Sequence, residues 1–263
     1  MNSAAADLIQ KGAASICVAA VLWALGLPFV AGIALCAMAP LPLPQLRDKD
    51  EPEPGPGRML AVVGNIGSGK SRALQSVPSG WTAVPEPIRE WAPLLSAEPT
   101  VNSVTQLQLA ALAHYFRLAA RPDELLVVER DILSTAVFSG KMPHVIATLL
   151  AVVGLRATRL PDAVLYVDTS VAQCLENVSG RGQPGDDRVS HEMVHQLHDG
   201  HGALLDAYRA AGVAVVLRSA HTSDAEALAA AATAATAGPR AQWTSEEHVL
   251  IAAGIGLAGE ASP

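Results

Sequence analysis

The stretch MLAVVGNIGSGKSRALQSV, beginning at Met59, narrows the fold more than any other part of this chain. MLAVVG is a continuous apolar run ended by a glycine and reads as a short buried strand. Residues 64–71, GNIGSGKS, fit the pattern G-x-x-x-x-G-K-[ST], and a helix is predicted directly after them. In that order, the glycines let backbone N–H groups turn inward around phosphate oxygens, and the helix N-terminus adds a favourable dipole. Gly64, Asn65, Ile66, Gly67, Ser68 and Gly69 would form the phosphate cradle of a nucleotide. Lys70 would reach the β- and γ-phosphates, and the Ser71 hydroxyl would help hold Mg2+. The competing reading is a glycine-rich strand-to-helix turn without a ligand. The Lys-Ser pair and the flanking elements weigh against it. Phosphate binding alone still leaves kinases, GTPases and motor ATPases open.

Apolar runs resembling MLAVVG recur at residues 81–86 (WTAVPE), 125–130 (LLVVER), 163–168 (AVLYVD) and 213–218 (VAVVLR). Helical segments are predicted between and after them at 104–120, 144–157, 171–178, 190–211 and 223–237. Strands alternating with helices predict an α/β protein, a three-layer fold of the P-loop NTPase type with about five parallel strands and helices on both faces.

The 50% hydrophobic content and mean hydropathy of +0.29 exclude global disorder, and 263 residues are enough for one α/β domain with extensions. A net charge of -7 argues against binding along nucleic-acid backbones, so nucleic acid is not an expected partner. Cys17, Cys36 and Cys174 are widely spaced and make no C-x-x-C, which implies neither a disulfide framework nor a cysteine zinc site. A reducing, intracellular compartment on the cytoplasmic side follows.

The chain divides into an apolar segment (1–40), a Pro-rich charged linker (41–57), a folded domain (58–237) and a tail (238–263). Residues 16–39 carry no charge and are long enough to cross a bilayer core of ~30 Å as a helix, kinked at Pro28. A membrane anchor and a dispensable extension, with Met59 as an internal start, both remain open.

What the phosphate loop leaves undecided is narrowed by residues 84–91 and 126–131. VPEPIREW places Glu86 at the carboxyl edge of the predicted sheet, where ligands of such folds collect, and LVVERD does the same for Glu129 and Arg130. By themselves, Glu86 could be a solvated turn residue and Arg130 part of a structural ion pair. GNIGSGKS, EPIREW, LQLAALAHYF, VVERDILSTAVFS, PDAVLYVDTSVAQCLENVSGRG and VSHEMVHQLHDGHGALL together, and in this order, resemble the deoxynucleoside kinase family. Only the first piece is specific alone; the conjunction is what carries the resemblance.

That resemblance implies transfer of a phosphoryl group from ATP, with Mg2+, to the 5′-hydroxyl of a deoxynucleoside. It makes Glu86 the general base, Arg130 the neutraliser of phosphoryl charge, and Glu129 a support for the metal site with Ser71. Trp91 would pack near sugar and base, and Gln108 would bond the base edge. The family's E-R-S segment reads E-R-D here, with Asp131 in place of serine. Tyr115 and Thr135 stand where cytosine- and purine-accepting members carry an arginine and its aspartate partner. Losing both members is coherent, because one buried charge alone would be costly. The resemblance therefore leans to thymidine or other pyrimidine deoxynucleosides. It also implies a homodimer, to which residues 144–157 could contribute.

RGQPGDDR, residues 181–188, corresponds to the lid over ATP, with Arg181 as its arginine and Asp186 reaching the sugar. Asn177 and Gln183 stand where further arginines are usual, with Arg188 as a candidate substitute. HEMVHQLHDGH, residues 191–201, satisfies H-E-x-x-H, with His201 where a third zinc ligand could sit. Nothing else in the chain resembles a protease, and a partly exposed helix after the lid is the simpler reading. Two alternatives to a deoxynucleoside kinase stay open: a catalytically silent nucleotide-binding or membrane-tethered scaffold, motivated by the thinned lid and altered E-R-S, and another small-molecule or nucleoside-monophosphate kinase.

Overall fold

In the computed structural model, five strands form one sheet in which every neighbour pair is parallel. The structure describes residues 57–98, 100–119, 121, 123–138, 161–210 and 212–237. The strands are β1 (Met59–Val63), β2 (Thr82–Val84), β3 (Leu126–Glu129), β4 (Ala163–Val167) and β5 (Ala214–Arg218), in the spatial order β2-β3-β1-β4-β5. β1 is central, and its carboxyl end delivers the phosphate loop to the middle of the sheet edge.

The strands read as unbroken apolar runs because both faces of the sheet are covered. Along β1, Met59, Ala61 and Val63 point into one core while Leu60 and Val62 point into the other. The first core receives α2 (Ile88–Leu95), α3 (Val101–Ala119), α4 (Ile132–Val137) and α6 (His191–Ala210) through Trp91, Tyr115, Leu133, Leu204 and Tyr208. The second receives α1 (Lys70–Ala73) and α7 (Asp224–Ala237), whose Ala227, Ala231 and Ala235 pack against the strands beside Leu228. The face that carries the larger side chains lies beneath the candidate site.

α5 (Val171–Arg181) begins where the Ser170 hydroxyl accepts the Gln173 N–H at 3.3 Å, and ends at Gly182 in the left-handed conformation. The predicted three-layer parallel fold is thus observed. α2 and α4 are additions to the sequence reading. α2 contains Pro93, which obscures a helical pattern, and α4 spans too few residues to show a period. The predicted helix at 144–157, the segments 1–40 and 41–56 and the tail 238–263 lie outside the described residues. Among the described residues, no helix is long and apolar enough to cross a membrane.

Candidate active site

The phosphate loop is built almost entirely from backbone. Gly67 adopts a positive φ of 73°, and a Cβ there would lie 2.4 Å from the Cys174 carbonyl oxygen of α5. Only glycine permits both features. The loop is fastened on three sides. Asn65 Nδ2 donates to the Val194 carbonyl of α6 at 2.8 Å, Asn177 Nδ2 of α5 donates to the Gly67 carbonyl at 2.7 Å, and Thr169 Oγ1 donates to the Ser68 carbonyl at 2.9 Å. Lys70 Nζ folds back to the Gly64 and Asn65 carbonyls at 3.1 and 2.7 Å. Burial, reinforced by the positive field of Arg130, lowers the Lys70 ammonium to about 7, against the opposing pull of Glu129 and Glu86.

Next to the loop, at the ends of β2 and β3, a carboxylate cluster and one arginine converge. Ser71 Oγ donates to Glu129 Oε1 at 2.7 Å, and the Glu86 N–H approaches Glu129 Oε2 at 3.4 Å. Arg130 Nη1 is ion-paired with Glu86 Oε2, and both side chains are largely buried. Burial opposes the Arg130 charge, yet the Glu86 carboxylate outweighs it and raises its pKa. The guanidinium also lies over the Phe138 ring, 3.8 Å from its centroid. Arg130 holds a φ of 63°, the only described non-glycine residue with a positive value. A hydroxyl, a carboxylate and an arginine-paired carboxylate beside a glycine loop are donors of the kind that suit a polyphosphate and a hard cation.

Beyond the carboxylates lies a wall of neutral side chains from α2, α3 and α4. Trp91 of α2 and Gln108 and Tyr115 of α3 are buried, and the Tyr115 hydroxyl donates to the Glu129 carbonyl at 3.2 Å. Burial pushes the Tyr115 phenol well above its ordinary range. Thr135 of α4 is buried too. Gln108 Oε1 is buried with no hydrogen-bond partner among the described residues. His114 meets Trp91 edge to face, with ring centroids 5.9 Å apart.

The model of the deoxynucleoside kinase family matches residues 60–231, from β1 into α7. The chain belongs to the deoxynucleoside kinase family. It is a phosphotransferase acting on nucleosides. It is 24% identical over 153 residues to the "Putative deoxynucleoside kinase" of Frog virus 3 (isolate Goorha), an alignment covering 53% of this chain and 78% of that one. Its fold resembles M. mycoides deoxyadenosine kinase with products dCMP and dCDP bound, at a TM-score of 0.53, 16% identity, and coverage of 65% and 95% of the two chains. The dATP-bound form of the same enzyme matches at 0.53 and 16%, covering 63% and 92%.

In this kinase, the predicted lid residues Arg181 and Asp186 bond to each other. Arg181 grips Asp186 in a fork, Nη2 to Oδ1 at 2.7 Å and Nε to Oδ2 at 2.9 Å. Burial works against the Asp186 charge, but Arg181 and the Gln183 N–H together hold its carboxyl below the usual range. Arg188, a candidate substitute for the missing lid arginines, instead donates to the Ser96 carbonyl at 2.8 Å and to the Ala97 carbonyl, capping the C-terminus of α2. Asn177 sits where an arginine is usual and holds the loop. No sequence pattern announces either contact, because each joins segments about a hundred residues apart.

His201 is the other departure. The helix carrying HEMVHQLHDGH is partly exposed, as expected, but His201 is fully buried between Phe138 and Tyr166. Its Nδ1 lies 2.6 Å from the Leu197 carbonyl oxygen, and burial pushes its pKa down to about 3. His191 and His195 lie on the exposed face, with rings 4.5 Å apart. Among the described residues, no three His, Cys, Asp or Glu side chains converge to hold a metal ion.

Proposed function

We propose that this kinase transfers the γ-phosphate of ATP to the 5′-hydroxyl of a pyrimidine deoxynucleoside, thymidine foremost. The convergence of Glu86, Arg130, Glu129, Ser71 and Lys70 at one sheet edge is the observation that carries this reading. Residues 64–69 cradle the phosphates. Lys70 is released from the loop carbonyls and turns its ammonium to the β- and γ-oxygens. As the 5′-oxygen bonds to the γ-phosphorus, its proton passes to the Glu86 carboxylate, the bond to the bridging oxygen breaks, and ADP leaves. Arg130, already beside Glu86, offsets charge on the phosphoryl oxygens.

The pair of Ser71 and Glu129 oxygens fits a hard cation, and these residues would hold Mg2+, which offsets phosphate charge when bound. Arg181 and Asp186 exchange part of their mutual fork for ATP and sugar when the lid engages. Positioning, more than covalent chemistry, is the protein's contribution.

The neutral wall supports the choice of base. Gln108 offers a buried carbonyl oxygen to a base N–H, and Trp91 gives a flat apolar surface. Tyr115 and Thr135 offer no charge, and the Tyr115 hydroxyl is committed to the Glu129 carbonyl. Incubation with Mg-ATP and thymidine, deoxycytidine, deoxyguanosine, deoxyadenosine or uridine tests this reading. Thymidine monophosphate is the expected dominant product, and a purine monophosphate in excess would reverse the assignment of the base.

A further inference from the structure

We infer that Asp131 and Tyr208 form a positioning pair that holds Arg130 in its left-handed backbone conformation and thereby aims its guanidinium at Glu86. The inference rests on the roles proposed above for Glu86 and Arg130 and adds two residues to them.

Asp131 is 1% exposed and uses every polar group it has. Oδ1 accepts the Ser134 N–H at 2.9 Å, while its own N–H donates to Ser134 Oγ at 2.9 Å. Its carbonyl accepts from Ser134 Oγ at 2.9 Å and from the Thr135 N–H at 3.3 Å. Oδ2 accepts the hydroxyl proton of Tyr208, which is fully buried in α6. The residue immediately before this knot is Arg130. A non-glycine residue with φ of 63° lies in a sparsely populated region and persists only where its surroundings impose it. On one side, the Arg130 N–H donates to the Val62 carbonyl at 2.9 Å. On the other, the Asp131 knot fixes the following peptide.

A serine at position 131 could cap α4 through Ser134, but one short hydroxyl could not also reach Tyr208. The second carboxylate oxygen is what the aspartate adds. It joins the arginine's backbone to α6, the helix that also accepts Asn65 of the phosphate loop through the Val194 carbonyl and supports Phe138 through His201. α6 therefore backs both the donor and the acceptor side of the site.

The test compares Tyr208→Phe, Asp131→Asn and the double variant, each with Arg130 intact and in an Arg130→Ala background. Turnover is measured on the full chain with Mg-ATP and saturating thymidine or deoxycytidine. Tyr208→Phe, which removes one oxygen and keeps the ring, should lower kcat about 10-fold, in line with small displacements of a reacting group. KM for ATP should stay within about twofold, since the phosphate loop keeps its own fastenings. Asp131→Asn should give a similar loss, the double variant no more than either single, and neither should matter once Arg130 is alanine. A merely structural role would lower the melting temperature while sparing kcat, or cost the same in both backgrounds, and either result overturns the inference. If Arg130→Ala alone leaves turnover unchanged, the proposed role of Arg130 fails, and the inference with it. A large Arg130→Ala loss beside an unaffected Tyr208→Phe would overturn the positioning pair alone.

Discussion

The phosphate loop and the acceptor wall meet at one sheet edge but are built in opposite ways. The loop is contiguous, made of backbone and glycine, and fastened from outside by Asn65, Asn177 and Thr169. The wall and the carboxylates beside it come from side chains just after β2, at the end of β3 and on α2, α3 and α4, gathered from positions far apart in the chain, and they are held by the buried Glu86–Arg130 ion pair and a knot around Asp131. A backbone site tolerates change in most side chains and none in its glycines. A side-chain site tolerates backbone variation and depends on single functional groups. Mutations should therefore act differently on the two regions.

The largest effect should come from the wall. Glu86→Gln keeps shape but removes the proton acceptor, and kcat should fall by about 10³-fold with ATP affinity preserved, a loss typical of a general base. A fall confined to KM would show that Glu86 only binds substrate. Lys70→Ala should cost about 10²-fold in kcat and weaken ATP binding as well, because its charge serves both states. Steady-state kinetics separates these two patterns directly.

Gly67→Ala sharpens the comparison from the loop's side. Its Cβ would collide with the Cys174 carbonyl, so the variant should lose about 2 kcal/mol of stability or more along with nucleotide binding. Thermal melts with and without ATP would read this, and an unchanged ATP-induced stabilisation would contradict the close approach of loop and α5.

The smallest effects concern protons. Burial lowers the Lys70 pKa from 10.5 to about 7, so the cost of burying its charge is full below pH 7 and is relieved as pH rises toward 10.5. Bound phosphates favour the charged form. At pH 8, nucleotide binding should therefore take up a fraction of one proton, measurable by calorimetry in buffers of different ionisation enthalpy and absent in Lys70→Ala. His201 behaves oppositely to a partnered histidine. Its folded pKa of about 3 lies below the free value of 6.5, so stability is intact above 6.5 and is lost as pH falls toward 3. His201→Leu should flatten that acid limb.

The same contrast explains what could be read from the chain itself. β1, the loop and the other four strands were legible because burial on both faces makes continuous apolar runs and because the loop is a contiguous pattern. Glu86 and Arg130 were legible as strand-end residues, though their pairing was not, since 44 positions separate them. Asp131 stood out only as a departure from serine, and its partner Tyr208 lies 77 positions away. α2 and α4 escaped notice because one contains Pro93 and the other is shorter than two helical turns. The burial of His201 depends on how α6 is turned against Phe138 and Tyr166, which periodicity in a histidine-rich stretch does not resolve.

The strand order carries a consequence for synthesis. β1 is made first, yet its two neighbours are β3 and β4, and its register with β4 pairs Leu60 with Ala163, about a hundred residues later. Such non-local parallel pairing is slow to form, because loop closure must precede any gain from contact. The glycine loop also takes its fastenings from Thr169, Asn177 and Val194, all later still. A nascent chain on the ribosome thus carries the complete glycine motif well before the groups that fasten it, the last of them in the first turn of α6, have been made.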